Sequence, residues 1–163
     1  MSDIIDSGEH SCSFTGHRPE KLIRSEREIR SDLEIEIRNA IDNGYTTFIS
    51  GMSRGVDILA AEIVLQFRVA GVPVRLICAI PYENFERSWS TDWQQRYQTI
   101  LNYADAVRYV CSHYCRGCHH IRNRWLIDHS TRVIAVCNGQ PGGTRSTVDY
   151  AIRQRKEVYQ IRG

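Results

Sequence analysis

Thr46-Thr47-Phe48-Ile49-Ser50-Gly51-Met52-Ser53-Arg54-Gly55-Val56-Asp57 passes from a short β-branched and aromatic run, through two glycines, into a helical pattern. From there Val56, Leu59, Ala60, Ile63, Val64 and Phe67 recur at spacings of three and four, the apolar face of a helix that ends before Gly71-Val72-Pro73. Strand, glycine turn and helix make one β-α unit. The same alternation runs outward in both directions. Upstream, a strand at 12–15 precedes a helix whose face is Ile29, Leu33, Ile37, Ala40 and Ile41 and which stops at Gly44. Downstream, strands at 74–80, 106–110, 132–137 and 158–161 alternate with helices at 92–103, 121–130 and 146–155.

Alternating strands and helices with short connections specify a mainly parallel sheet covered on both faces. The expected fold is α/β, a Rossmann-like three-layer sandwich formed by one domain at 12–163 behind a polar arm at 1–11. In such open sheets the ligand lies beyond the carboxyl ends of the strands, where strand order reverses.

The 163 residues, 42% hydrophobic and 25% charged, suffice to bury a core without disulfides or a structural metal. Collagen, coiled coil and disorder are excluded. Twenty-one basic and 19 acidic residues leave a formal charge of +2, too near balance for a strong field, so a nucleic-acid partner is not expected. All but two of the basic residues are arginine, the side chain whose fork fits carboxylate and phosphate. No apolar run approaches the ~20 residues that cross a bilayer, so no membrane partner is expected. The first ten residues lack a basic n-region and an apolar h-region, and Cys12, Cys78 and Cys137 sit in apolar strand-like runs as small hydrophobes. A reducing cytoplasm is the expected compartment.

Three glycine turns fall at strand ends. Thr15-Gly16-His17-Arg18-Pro19 joins a glycine that lets backbone approach a ligand to a guanidinium that grips phosphate or carboxylate, with Pro19 holding the chain extended. Gly51 to Gly55 frees backbone N–H groups for an anion, and the helix that follows adds about half a positive charge. Its spacing is neither that of a P-loop nor that of a dinucleotide fingerprint. Gly51-x-Ser53-x-Gly55 also fits a nucleophile elbow, whose partners would have to be Asp128 and His129, adjacent residues that do not face one point on a helix. In Asn138-Gly139-Gln140-Pro141-Gly142-Gly143-Thr144-Arg145-Ser146-Thr147-Val148-Asp149, three glycines in five residues build a further cradle, Ser146 and Thr147 can cap the helix or bond phosphate, and Asp149 lies one turn inside. Each turn alone reads equally as structure. Their convergence at one end of the sheet describes a pocket lined by backbone donors.

Cys111-Ser112-His113-Tyr114-Cys115-Arg116-Gly117-Cys118-His119-His120 holds soft ligands, but only one Cys-x-x-Cys knuckle, where structural zinc sites usually pair two separated ones. No metal is expected there. Arg122-Asn123-Arg124 opens the next helix within reach of the pocket. Trp89, Trp93 and Tyr97, four apart, share a helical face that serves packing or a nucleobase platform, with Pro81-Tyr82-Glu83-Asn84-Phe85 placed to contribute.

Thr15-Gly16-His17-Arg18-Pro19, Ser50-Gly51-Met52-x-Arg54-Gly55-Val56-Asp57, Tyr114-x-x-Gly117-Cys118 with Arg122-Asn123-Arg124 and Asp128, and Gly142-Gly143-Thr144 together resemble the YpsA-like branch of the SLOG superfamily. That superfamily includes the Smf/DprA proteins and the LOG phosphoribohydrolases. The resemblance implies a cytoplasmic binder of a nucleotide, with an NAD or ADP-ribose-like ligand as the expected cofactor class, in a sensing or regulatory role, and a homodimer. It implies phosphate held by the Gly51 to Gly55 and Gly142 to Thr144 backbones, with Ser146 and Thr147 beside it. Arg18 and Arg122 pair with its charge, and Asn123 and Asp128 orient ribose or support the loop. Thr15, Gly16, His17, Met52, Ser53 and Arg54 complete the lining, and Asp57 and Glu62 resemble an acidic pair facing the pocket. The alternatives are sequestration of a nucleotide signal and a LOG-like nucleotide N-glycosidase. For the glycosidase, the pattern Pro-Gly-Gly-x-Gly-Thr-x-x-Glu laid on Pro141 puts Arg145 for the third glycine, Ser146 for threonine and Asp149 for the catalytic glutamate.

Overall fold

The structure, a computed structural model, describes residues 10–163. Residues 1–9 of the expected arm lie outside the described residues. The chain runs β1 (Ser11–Gly16), α1 (Glu26–Asp42), β2 (Thr47–Ser50), α2 (Val56–Val69), β3 (Arg75–Ile80), α3 (Thr91–Tyr103), β4 (Ala106–Tyr109), α4 (Cys118–Asp128), β5 (Arg132–Cys137), α5 (Gly143–Arg153) and β6 (Glu157–Arg162). All six strands are parallel, in the order β4-β3-β2-β1-β5-β6. The expected α/β sandwich is the fold.

The chain steps outward from β1 to β4, then returns to β5 on the other side of β1. Ser13 is in register with Ile49 on one side and Val133 on the other. Right-handed crossovers therefore put α1, α2 and α3 against one face and α4 and α5 against the other. The reversal lies between β1 and β5, and the loops leaving these strands part there to open a crevice.

Local chemistry sets the boundaries. Ser25 accepts the Glu28 N–H while the Glu28 carboxylate accepts the Ser25 N–H, a capping box that starts α1. Ile29, Leu33, Ile37 and Ala40 then face inward, and Gly44, at φ +92°, turns the chain out. The central strands are buried on both faces, with Phe14 stacked on Phe48 at 6.0 Å. β4, an edge strand, leaves Val107 and Tyr109 exposed.

Three boundaries differ from the sequence reading. Pro19 does not keep its own position extended: the restriction falls on Arg18, at ψ 159°, and Pro19 opens a 3-10 turn over Pro19–Lys21. α4 starts at Cys118 rather than 121, because Gly117 in the left-handed region turns the chain straight into the helix. α5 starts at Gly143 rather than 146, behind Gly142 at φ +151°. All six cysteines are free thiols, and burial pushes that of Cys78 up to about 12. No helix among the described residues is long and apolar enough to cross a membrane.

Candidate functional site

The β1 loop is held from both sides. A Cβ on Gly16 would lie 2.5 Å from the Val56 side chain, so this glycine serves the packing of α2. His17 is buried, its Nε2 lying 2.9 Å from Asn138 Oδ1 in the loop after β5. This clasp spans the crevice from one switch-point loop to the other. Burial lowers the His17 pKa, opposed by the Asn138 bond. Thr15 is buried beside it, whereas Arg18 is exposed and its guanidinium makes no hydrogen bond or ion pair among the described residues.

The Gly51 to Gly55 loop corrects an expectation. The sequence predicts an open phosphate cradle, yet protein groups already take two of its backbone donors, the Met52 and Ser53 N–H. Met52, buried at φ +62°, donates its N–H to Ser50 Oγ at 3.2 Å, and the Ser53 N–H goes to Asp57 Oδ2 at 3.2 Å. From α4, Arg122 donates to the Gly51 carbonyl, to Ser53 Oγ at 3.1 Å and, through Nε, to Asn123 Oδ1 at 2.9 Å. Arg122 is thus a buried brace for the loop rather than a free phosphate clamp. Gly55 is dictated by a neighbour too: it sits at φ +92°, and a Cβ there would come 2.7 Å from the His17 carbonyl. Arg54 leaves the loop for an ion pair with Glu20 at 3.2 Å.

Asp57 is the electrostatic centre of this arrangement. Burial raises its pKa to about 6 against the opposing pull of Arg122, the Ser53 N–H and Arg18. Its Oδ1 has no hydrogen-bond partner among the described residues. Glu62 does not face the pocket with it, because its carboxylate takes Arg96 from α3 at 2.5 Å.

The open donors lie at α5. No side chain caps its start and its first turn carries no acid, so the leading N–H groups stay available to an anion. Gly143 and Thr144 line a cavity of about 270 Å³ together with Thr15, Gly16, His17, Arg18, Lys21, Ser53, Asp57, Arg122 and Asn123. A Cβ on Gly143 would meet nothing within 4 Å, and one on Gly142 would lie 3.6 Å from Lys21 Nζ.

A second cavity of about 470 Å³ adjoins the first, sharing Arg18, Ser53 and His119 and walled by Tyr82, Phe85, Trp89 and Trp93. Trp89 packs edge-on to Phe85 at 4.9 Å, and Tyr82 edge-on to His119 at 5.9 Å. Tyr97, expected on the same face as the tryptophans, turns into the core. Sequence reasoning missed His119 and Lys21 as lining groups. Burial, then Arg122 and Arg18, lowers the His119 pKa to about 4, leaving a neutral ring between the two cavities.

Other expected residues fall elsewhere. Ser146 and Thr147 border a separate small pocket beside Tyr150, and Thr147 Oγ1 donates to the Gly143 carbonyl at 2.8 Å. Asp128 accepts the Tyr150 hydroxyl at 2.7 Å and does not line the cleft. Asp149 is exposed and also lies off the cleft. The inward face of α5 carries Thr144, Thr147, Val148 and Ala151, and Asp149 sits about 140° around the helix from Thr144. The serine-nucleophile alternative fails on the same ground, since Ser53 is bonded by Arg122, and Asp128 and His129 make their contacts with Tyr150 and Trp125.

The model of the YspA SLOG family matches residues 12–162. Among relatives, the uncharacterized SPbeta prophage-derived protein YoqJ of Bacillus subtilis is 30% identical over 122 residues, 68% of this chain and 71% of its own length. A UPF0398 protein of Oceanobacillus iheyensis is 25% identical over 152 residues, covering 88% and 82%. Among solved structures, DNA processing protein A of Helicobacter pylori, described by its single-stranded DNA binding mode, superposes with TM-score 0.66 at 21% identity over 96% of this chain and 66% of its own. The Streptococcus pneumoniae DprA gives TM-score 0.69 at 18% identity, over 94% and 50%. The chain thus spans about half to two thirds of these two structures. The H. pylori protein overturns the charge-based exclusion of a nucleic-acid partner. Net charge averages the whole surface, while recognition depends on what gathers at one cleft.

Proposed function

Because the chain belongs to the YspA SLOG family, we propose that it binds a nucleotide in the cleft between the β1 and β5 loops, as a sensor, regulator or sequestering protein. One observation carries this reading: an uncapped glycine start of α5, flanked by Arg18 and Lys21, opens onto the same cleft as an aromatic-walled cavity. A phosphate sits against the α5 N-terminus, where backbone donors and the helix dipole favour negative charge. Arg18 supplies a free fork toward it. The base lies among Trp89, Trp93, Tyr82 and Phe85, the rings that wall the neighbouring cavity. Asp57 Oδ1, buried and unpaired, accepts a ribose hydroxyl. An ADP-ribose or NAD-like molecule, with phosphates between two cyclic groups, matches this sequence of surfaces.

A second reading takes the nucleotide as one unit of a single strand. The likeness to the H. pylori protein, described by its single-stranded DNA binding mode, favours it, and so does a cavity lined by both aromatic rings and the arginines Arg18 and Arg54. Calorimetry and tryptophan emission separate the two, using ADP-ribose, NAD, AMP and an oligothymidylate as ligands with ribose 5-phosphate as the baseless control. Binding of a mononucleotide or ADP-ribose with tryptophan quenching supports the first reading. Binding of the oligonucleotide alone, falling steeply with salt, supports the second. No binding of any of them, or binding indifferent to Arg18→Ala, rejects the site.

A further inference from the structure

The loop between β4 and α4 collects three thiols. The Sγ atoms of Cys111, Cys115 and Cys118 all lie within 4.8 Å of one another, and none is in a disulfide. Four ligands around one tetrahedral ion with metal–sulfur bonds of about 2.3 Å stand about 3.8 Å apart, so closure onto an ion needs shifts of about 1 Å or less. A polynuclear iron–sulfur cluster, with each thiolate on a different iron, asks for wider spacing.

The fold explains how one short loop achieves this, which the expectation of two separated knuckles did not foresee. Cys111 is fixed because pairing continues past β4: Val110 donates to the Ile80 carbonyl at 2.8 Å and Cys111 to that of Pro81 at 2.9 Å. Cys118 is fixed as the first residue of α4, delivered by Gly117 at φ +87°. Cys115 is tied to it twice, donating its N–H to Cys118 Sγ at 2.7 Å and accepting the Cys118 N–H at 3.2 Å.

We propose that Cys111, Cys115 and Cys118 bind one thiophilic divalent cation of the zinc class. The fourth position lies toward the exposed side of the loop, where Ser112, His113 and Tyr114 face solvent, and is filled by water or an added ligand. The ion would also stiffen one rim of the cleft, because Tyr114 packs on Tyr82 at 5.3 Å and Tyr82 on His119. The proposal stands independently of what the cleft binds.

The test uses the full chain, reduced, stripped with chelator and titrated anaerobically with Co²⁺. The expected result is one equivalent bound, with intense thiolate-to-cobalt charge transfer and tetrahedral d–d bands that Zn²⁺ abolishes. Cys115→Ser should lose this spectrum and Cys137→Ser keep it. Should Cys115→Ser fail to fold, the wild type still decides: Zn²⁺ should protect three thiols from maleimide, counted by mass under native conditions. The spectrum of octahedral aqueous cobalt, unprotected thiols, iron with acid-labile sulfide, or a Cys115–Cys118 disulfide persisting under reductant would each overturn the proposal.

Discussion

The guanidinium of Arg122, on one face of the sheet, is buried against the carbonyl of Gly51, at the end of β2, and donates to it across the top of the sheet. The same side chain holds Ser53 Oγ, and its charge stands beside buried Asp57. It therefore ties α4 to the loop that leads into α2. Removing it strands a carbonyl, a hydroxyl and a buried carboxyl together, so Arg122→Ala should cost on the order of 3 kcal/mol in denaturant unfolding. Arg122→Lys should recover only part, since an ammonium cannot span both acceptors as the fork does. A loss below about 1 kcal/mol would make the brace incidental.

Asp57 should make stability fall as pH rises. Its carboxyl titrates near 6 when folded, against an ordinary value of 3.8. Below that lower value both states hold the proton and the group contributes nothing. Between the two, the folded protein keeps a proton that the unfolded chain has released, so stability declines up to about pH 6 and then levels, a total on the order of 3 kcal/mol. Asp57→Asn abolishes this titration. The stability of the wild type minus that of the variant, measured from pH 4 to 7, should therefore decline through this window, and a flat difference would refute the assignment.

Two glycines should behave oppositely. At Gly143 a new Cβ meets open space in the cleft, so Gly143→Val should leave the unfolding midpoint unchanged while blocking nucleotide binding. At Gly55 the backbone is at φ +92° and a Cβ would strike the His17 carbonyl, so Gly55→Ala should destabilise by about 1–3 kcal/mol or more. Equal effects on stability would show that the cleft-facing and packed glycines have been wrongly distinguished.

The aromatic cavity predicts a split between ligands. Trp93→Ala should weaken ADP-ribose or AMP by about 1–3 kcal/mol, the usual worth of a base on an aromatic ring, and leave ribose 5-phosphate unaffected. Equal losses for both ligands would remove the base from this wall.

The alternation of strands and helices was legible because its signals are local: apolar runs, faces at spacings of three and four, and glycines at their ends. The carboxyl ends of the strands mark where a cleft should open, and Thr15, His17, Arg18, Ser53, Asp57, Asn123, Gly143 and Thr144 line one cavity there. The division of labour among them was not legible. That Arg122 would take the Gly51 carbonyl and the Ser53 hydroxyl depends on α4 crossing the sheet, a contact between residues 71 apart in sequence. His119 was hidden inside a cysteine-rich stretch that invited a metal reading. Asp149 was misplaced by a helix boundary, since a start three residues earlier puts it nearly two turns in and rotates it off the cleft.

The remaining question is whether the cleft holds a nucleotide or cuts one. Cleavage of a base–ribose bond needs an acid or base within about 3 Å of the reacting atoms. Asp149 is exposed and off the cleft, so Asp149→Ala should change neither ADP-ribose affinity nor any release of free base. Arg18 faces the cleft with its donors unspent, so Arg18→Ala should weaken ADP-ribose by about 1.5–3 kcal/mol, roughly ten- to a hundredfold, with stability unchanged. Incubation of the wild type with NAD, ADP-ribose and nucleoside monophosphates, followed by chromatography of the bases, should then show binding without turnover. Rapid release of base that disappears in Asp149→Ala would mean that α5 rotates to bring this carboxylate over the cleft, and the hydrolase reading would replace the binder.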